Sequence, residues 1–214
     1  MRKLILKMSM SVDGFVGGPN EGILWLLKSQ SEDSIAWTVN TVWQAGVHIM
    51  GSRTFHDMAS YWPYSTEPFA PPMNEIPKVV FTRNKAFDPA EEGQTTNALK
   101  DAMHLRGDKK LQPDSSIVAS WTRAEVAYGD LHDEIMRLKQ QPGEFILAHG
   151  GAGFAQSLVK SGLIDEYRLL IHPVALGSGL PIFSALSNPL DLELVETIAF
   201  KGGAVAHVYR PAGK

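Results

Sequence analysis

Short apolar segments alternate with segments of helical periodicity along most of this chain. In residues 3–12, Leu4, Leu6, Met8 and Met10 fall on one face at a period of two, which predicts a strand. Helical spacing follows in residues 32–45, and the alternation then repeats. Strands that alternate with helices favour a mainly parallel sheet covered by helices on both faces. The further predicted strands are 47–50, 78–82, 116–119, 144–148 and 166–172, and the further helices contain Phe55 to Trp62, Leu131 to Leu138, and the residues from Phe154 onward.

Three segments depart from this alternation. Residues 84–114 are polar with few apolar anchors, and we interpret them as an excursion that is partly helical near residues 98–105. Residues 17–30 and the proline-rich residues 63–76 are predicted to be loops.

The C-terminal part of the chain has a different pattern. Two apolar segments, residues 190–200 and 204–209, flank Lys201-Gly202-Gly203, which predicts an antiparallel hairpin. No repeat or linker divides the sequence, so we expect residues 1–214 to form a single domain.

Composition excludes several classes of protein. The 214 residues are 44% hydrophobic and 20% charged with a formal net charge of −3, which excludes overall disorder and a nucleic-acid footprint. The absence of cysteine excludes disulfides, thiolate zinc sites and a cysteine nucleophile. The seven histidines lack the spacing of a metal site, so no metal is predicted. With no signal peptide or membrane span recognised, we expect a soluble cytoplasmic enzyme with a small-molecule substrate and neither a nucleic acid nor a membrane as partner.

Polar and glycine-rich turns follow the predicted strands. Ligands of open α/β sheets bind at the carboxyl ends of strands, and glycine turns that open helices suit phosphate groups. Each turn alone is as well explained as a tight turn or a surface residue, and their common position favours a ligand with several phosphates, such as a dinucleotide. The turns are Asp13-Gly14, Gly51-Ser52-Arg53-Thr54, Thr82-Arg83, Ser120-Trp121 and Gly150-Gly151-Ala152-Gly153.

Two common nucleotide-binding motifs do not fit. The run from Gly150 to Gly153 has Gln156 where a Rossmann fingerprint needs a third small residue, and it comes late in the chain. The sequence has no P-loop. Trp25, in a loop beside the predicted site, is interpreted as a wall of the substrate pocket.

The motifs together resemble the dihydrofolate reductase superfamily, and within it the reductase domain of the bacterial bifunctional riboflavin-pathway deaminase–reductase. The similarity covers the whole chain except about residues 84–114. The motifs that carry it are Met10-Ser11-Val12-Asp13-Gly14-Phe15-Val16-Gly17, Ile49-Met50-Gly51-Ser52-Arg53-Thr54-Phe55, Lys78-Val79-Val80-Phe81-Thr82-Arg83, His149-Gly150-Gly151-Ala152-Gly153-Phe154-Ala155, Gly162-Leu163-Ile164-Asp165-Glu166-Tyr167, His172-Pro173-Val174-Ala175-Leu176-Gly177-Ser178-Gly179 and Pro181-Ile182-Phe183.

The resemblance implies a three-layer α/β sandwich, an NADPH-dependent reductase and a homodimer. It implies an activity like that of 5-amino-6-(5-phosphoribosylamino)uracil reductase. Asp13 would act as the catalytic acid and, with Trp25, would face the substrate; capping of the turn after the first strand is the alternative for Asp13. The implied cofactor contacts are Gly51, Ser52, Arg53 and Thr54 at the phosphates, Thr82 and Arg83 at the adenosine 2′-phosphate, Gly150, Gly151, Ala152 and Gly153 at the pyrophosphate, and Ser9 and Val16 at the nicotinamide.

Two departures keep alternatives open. Ser52 stands where the family carries a basic residue, which weakens the preference for NADPH over NADH. Gln30 stands where dihydrofolate reductases carry an acid, and Glu32 and Asp33 come later, which disfavours dihydrofolate as the substrate. A non-catalytic pterin-, flavin- or nucleotide-binding protein and a flavin-dependent reductase therefore remain alternatives.

Overall fold

Eight strands form one mixed sheet. The computed structural model describes residues 1–20, 22–106 and 112–213. The strand order is β4-β3-β2-β5-β1-β6-β8-β7; neighbours from β4 to β6 pair in parallel, and β6-β8-β7 pair antiparallel. The strands are β1 Leu4–Ser11, β2 Val47–Gly51, β3 Lys78–Phe81, β4 Glu125–Ala127, β5 Ile146–Ala148, β6 Glu166–His172, β7 Leu192–Ala199 and β8 Val205–Pro211.

Helices cover both faces of the sheet, as the alternation predicts. Leu4 and Leu6 of β1 share a core cluster with Ile135 and Leu158, whereas Ile5 packs on the opposite face with Val42. This three-layer α/β arrangement with a C-terminal hairpin confirms the predicted fold class. The helices are α1 Glu32–Trp43, α2 Ser52–Tyr61, α3 Ala70–Glu75, α4 Asn97–Arg106, α5 Ser115–Thr122, α6 Leu131–Gln140 and α7 Ala152–Ser161, and two short 3-10 helices span Leu24–Ser29 and Trp62–Tyr64.

The strand predicted at residues 116–119 is wrong, because this segment lies in α5. The Asp114 carboxylate accepts a hydrogen bond of 2.8 Å from the Ser116 amide and caps the helix. Trp121, therefore, does not end a strand; its indole is buried and donates to the Asn74 side chain at 2.8 Å. The strand at this position is β4, a few residues later. A short apolar run does not distinguish a strand from a buried helix by periodicity alone.

The loop predictions need smaller corrections. Residues 63–76 contain most of a 3-10 turn and the whole of α3, both with proline in the first turn, where its missing amide costs nothing. Residues 17–30 contain the 3-10 helix Leu24–Ser29. Residues 84–114 are an excursion whose helix, α4, matches the expected place; residues 107–111 of it lie outside the described residues.

The loop after β1 is fastened to the segment after β6. Val12 and Val16 donate backbone hydrogen bonds to Val174 and Leu180, and Leu180 donates in return to Gly17. Gly179 lies within this contact at a φ of +151°, and a Cβ atom there would lie 2.1 Å from the Gly17 carbonyl oxygen. The motif 172–179 therefore holds the loop that follows β1.

The hairpin strand β7 forms one edge of the sheet, where Leu194 and Val195 are exposed. The homodimer implied by the family resemblance stays a prediction. No helix in the described part of the chain is both long and apolar enough to cross a membrane.

We predict that Gly179→Ala destabilises the fold by about 1–3 kcal/mol, because the new side chain meets backbone in a region of φ that L-residues rarely adopt. Thermal unfolding followed by circular dichroism would measure the shift. Gly153→Ala is the matched control, because a Cβ at that position in α7 meets no atom within 4 Å. Equal unfolding temperatures for both variants would contradict the prediction.

Candidate active site

A cavity of about 1280 Å³ opens at the carboxyl ends of the parallel strands. It continues between the sheet and α1, where Ser34 and Thr38 form part of its wall. Every residue that the family resemblance assigns to the cofactor lines this one cavity. They are Ser9, Val16, Gly51, Ser52, Arg53, Thr54, Thr82, Arg83, Gly150, Gly151, Ala152 and Gly153.

The two glycine turns meet at the mouth of the cavity. Because β5 pairs with β2, the turn after each strand lies beside the other. Gly151 has a φ of +34°, and a Cβ atom on it would lie 2.6 Å from the Thr54 hydroxyl oxygen. Any side chain at position 151 would therefore collide with α2. The two helix starts form a single narrow cradle for this reason.

Helix N-termini at this cradle offer backbone donors. Gly51 before α2 and Gly151 before α7 have no side chain that could cap a helix. The first backbone amides of both helices therefore have no side-chain acceptor at the cavity. By contrast, the Asp130 carboxylate caps α6 by accepting from the His132 and Asp133 amides. Uncapped amides and the positive end of the helix dipole favour an anionic group.

Thr82 and Arg83 follow β3 on the same side of the cavity. The Thr82 hydroxyl accepts a hydrogen bond of 3.1 Å from the Asn84 amide, which leaves the hydroxyl proton directed to another acceptor. The Arg83 side chain is exposed. This pair is a donor set for a phosphate that lies beyond the cradle.

The floor of the cavity is polar and basic. Lys7 and Ser9 face α1 from β1, and His149 and His172 follow β5 and end β6 on the same face. Burial lowers the pKa of Lys7 to about 8. Burial, with the charge of Lys7 as a smaller cause, also lowers the pKa of His172 to about 4.

Each of the two floor histidines has a buried ring nitrogen without a protein partner. His172 Nδ1 lies 2.7 Å from the Ser29 hydroxyl, and its Nε2 has none. The Nε2 of His149 is likewise unpaired, and its ring packs edge-on against His48 with centroids 4.6 Å apart. Burial, the nearby imidazole of His48 and the charge of Lys7 lower the pKa of His149. The floor therefore combines an ammonium group with neutral imidazoles.

Sequence reasoning missed Lys7, His149 and His172 as functional candidates. The signal for Lys7 was present: it stands between Leu6 and Met8 in a strand expected to be covered on both faces. Burying a lysine charge on a covered face of a central strand destabilises the fold, so a lysine at such a position suggests a functional role. The histidines carried no comparable signal, because neither stands at the spacing of a metal site and each only begins a motif that was assigned to the family resemblance.

Asp13 does not line the cavity. Its carboxylate accepts hydrogen bonds from the Leu176 amide at 3.0 Å and the Gly177 amide at 2.7 Å, so it helps to fasten the loop after β1. A hydrogen bond from the Ser11 side chain, together with these amides, lowers the pKa of Asp13 to about 2. The carboxylate thus has a structural role, although it binds the segment after β6 and not only the turn after β1, and the catalytic role of Asp13 stays a prediction.

Trp25 is also outside the cavity wall. Its ring stands edge-on to His172 at a centroid distance of 5.6 Å, and its indole donates to the Gly22 carbonyl oxygen. Trp25 therefore lies outside the cavity and packs against His172, one of the floor residues. Leu26 and Leu27 of the same 3-10 helix line the cavity instead.

The acids of α1 do not reach the cavity. Gln30 lines it, but the Asp33 carboxylate is directed to the Ser34 and Lys201 amides. The acid side chains that do line it among the described residues are Asp57, Glu67 and Asp130. A pterin-protonating acid at the position that dihydrofolate reductases use is therefore absent from the described lining.

One group of possible metal ligands occurs among the described residues. It consists of Asp130, His132 and Asp133, all of which are exposed. Because the Asp130 carboxylate already caps α6, we interpret this group as a helix start and not as a metal site.

Comparison with known proteins gives a family. The sequence of residues 2–206 matches the RibD C-terminal domain family. A Bacillus subtilis (strain 168) protein, named uncharacterized protein YyaP, is 27% identical over 208 residues, which are 97% of this chain and 94% of that protein.

Solved structures share the fold at low identity. One such structure is the Thermotoga maritima diaminohydroxyphosphoribosylaminopyrimidine deaminase/5-amino-6-(5-phosphoribosylamino)uracil reductase, with a TM-score of 0.66 at 14% identity. The match covers 99% of this chain and 57% of that chain. Dihydrofolate reductase of Enterococcus faecalis, in complex with NADP(H) and RAB-propyl, has a TM-score of 0.58 at 12% identity, and the match covers 98% of this chain and 96% of that chain. Similarity at this level shows the fold alone.

We predict that Asp13→Asn lowers stability at neutral pH but not in strong acid. Because the pKa of Asp13 is lower in the folded protein, the ionised carboxylate stabilises the fold at any pH above its unfolded-state pKa of about 4. This stabilisation is lost as the pH falls towards the folded-state pKa of about 2. Thermal unfolding of both proteins across this range would measure the difference. A difference that does not depend on pH, or a loss of turnover with unchanged stability, would contradict a structural role.

Proposed function

Since the chain belongs to the RibD C-terminal domain family, we propose that it is a reductase that uses NADPH to reduce a small heterocyclic substrate. The observation that carries the proposal is the meeting of the two glycine turns at Thr54 and Gly151, directly above a floor that contains Lys7. An anion cradle beside a buried cation suits a phosphate-bearing cofactor and a polar substrate atom. The compound 5-amino-6-(5-phosphoribosylamino)uracil, after which the Thermotoga protein is named, is the reference substrate.

Open space at the start of α7 supports a dinucleotide with a 2′-phosphate as the proposed cofactor. A Cβ on Gly153 would meet no atom within 4 Å, so the start of α7 leaves open space against the cavity. The first amides of α2 and α7 would hold the pyrophosphate, Thr82 and Arg83 the 2′-phosphate, and Ser9 with Val16 the nicotinamide ring. When bound, the cofactor supplies a hydride, and these residues fix its position.

Lys7 is the group that we propose to contact the reacting part of the substrate. With a pKa of about 8, Lys7 is mostly protonated at neutral pH. This pKa is also close enough to pH 7 for the ammonium to release a proton during the reaction. An ammonium donates a hydrogen bond to a carbonyl or imine acceptor and stabilises the negative charge that develops there. Its low-dielectric surroundings strengthen this interaction.

Binding and turnover test the two parts of this proposal separately. Titration with NADPH and NADH, followed by tryptophan fluorescence, measures the cofactor site. Loss of reduced-nicotinamide absorbance with the reference substrate and with dihydrofolate measures the reaction. Tight NADPH binding with no turnover on any heterocycle would favour the non-catalytic alternative, and no binding of either nucleotide would overturn the proposal.

We predict that Gly153→Ala weakens NADPH binding by about tenfold, because its methyl group fills the open space in front of the first amides of α7. Stability should be unchanged or higher by up to about 1 kcal/mol, since alanine is the better helix former. Lys160→Ala, at the exposed far end of α7, is the control for cofactor affinity. Unchanged NADPH affinity in Gly153→Ala would place the cofactor elsewhere.

We predict that Lys7→Met lowers the turnover rate by about a hundredfold or more while NADPH affinity stays within about twofold. The thermal midpoint should not fall, because the change removes a buried charge and keeps the volume of the side chain. In the unmodified protein, the turnover rate should decrease as the pH rises through about 8, where Lys7 loses its proton. A pH profile that is the same in both proteins would contradict this role.

A further inference from the structure

The cavity has a second part that the cofactor cradle does not use. It lies between α1, the second half of α2, the start of α3 and α4, and we call it the apolar chamber. Its side chains come from separate elements and are nearly all hydrocarbon or aromatic. They are Ile35, Met58, Trp62, Phe69, Leu99 and Leu105.

Aromatic rings build one wall of the apolar chamber. The Trp62 ring contacts Tyr61 and Phe69 at centroid distances of 5.0 and 6.0 Å. Trp62 and Phe69 are only partly buried, although they pack against the core cluster around Met73. The exposed parts of these rings therefore face the cavity, where they offer apolar contact area.

The opposite wall, α4, is held in place from two sides. On one side, the Thr96 hydroxyl donates a hydrogen bond to the Asp57 carboxylate on α2. On the other, the Asp101 carboxylate accepts a hydrogen bond of 2.7 Å from the Ile23 amide, and the Asn97 side chain donates to the Asn20 carbonyl oxygen at 2.6 Å. The apolar chamber is therefore a constructed part of the site and not a gap under a loose segment.

The charges that line this part of the cavity are net negative. Glu67, whose carboxylate accepts from the Tyr61 hydroxyl, and Asp57 are the acids here. Arg53 lies beside Asp57 on α2 and offsets its charge, whereas the other described cations of the lining lie on the floor (Lys7) and after β3 (Arg83). A phosphate in the apolar chamber would lose its hydration and face the Glu67 carboxylate, and the described lining offers no further cation there.

We propose that the apolar chamber binds an uncharged, largely apolar substituent of the substrate, such as an aryl or branched alkyl group, in preference to a phosphorylated sugar. This inference rests on the proposed reductase function for the identity of the neighbouring cofactor site. The heterocycle lies against Lys7 on the floor, and its substituent extends between α1 and α2 under α4.

The test uses two compounds that differ only in the substituent, 5-amino-6-(benzylamino)uracil and 5-amino-6-(5-phosphoribitylamino)uracil. Neither can accept a hydride at the side chain, so calorimetry with and without NADPH measures binding alone. We expect the benzyl compound to bind about tenfold more tightly. Tighter or equal binding of the phosphoribityl compound, or no binding of the benzyl compound, overturns the inference.

Two variants locate the effect in the apolar chamber. Leu105→Arg places a cation at the partly exposed rim of the chamber. It should lower the affinity for the benzyl compound and raise the affinity for the phosphoribityl compound, each by about threefold or more. Glu67→Gln removes the carboxylate charge and should raise the affinity for the phosphoribityl compound only. Leu194→Arg, on the exposed edge strand β7, is the matched control and should change neither affinity. Unchanged preferences in both chamber variants would overturn the assignment.

The outcome separates this inference from the function on which it rests. If the reference substrate is reduced and the phosphoribityl compound binds more tightly than the benzyl compound, the reductase function stands and the apolar chamber has been misassigned. If the benzyl compound binds more tightly but NADPH does not bind, the chamber assignment stands and the reductase function falls.

Discussion

The position of β5 between β1 and β2 is the constraint on which the site depends. β5 comes almost a hundred residues after β2 in the chain, and yet it pairs in parallel with both strands. This pairing sets the turn at Gly151 against Thr54 and aligns His149 beside Lys7 on the same face. The long-range pairing of these strands thus assembles a cradle that no local segment contains. Only the two short turns, at Gly51 and at Gly151, need to be sterically compatible with each other.

The polar floor of the cavity has a cost in stability. The face of the sheet under α1 carries an ammonium group and imidazole nitrogens without protein partners, whereas the core clusters on the two faces are hydrocarbon and aromatic. Unpaired buried polar atoms destabilise a fold by amounts comparable to a lost hydrogen bond. Their concentration at the bottom of one cavity, beside two uncapped helix starts, is the arrangement expected where stability is exchanged for chemistry.

The sequence predicted what is local and repeated, and failed where long-range contacts decide. Period-two strands and glycine turns have direct physical signatures, so β1, β2 and the turn at Gly150 were located correctly. The segment at residues 116–119 failed because a run of three apolar residues fits a strand or a helix equally well, and the deciding features were the Asp114 cap and the burial of Trp121 against Asn74. Asp13 was located at the right loop, but only its partners, Leu176 and Gly177, show what its carboxylate does.

The attachment of α4 has a consequence for how proteins of this design can diversify. α4 belongs to the excursion between β3 and β4, which are the two outermost strands at that edge of the sheet. The strands that carry the cradle and the floor are paired without it. Insertions, deletions and substitutions in the excursion can therefore remodel this wall of the cavity while the cradle and floor on β1, β2 and β5 stay intact. In such a scaffold, ligand choice and reaction chemistry are encoded in different stretches of the chain and are free to evolve at different rates.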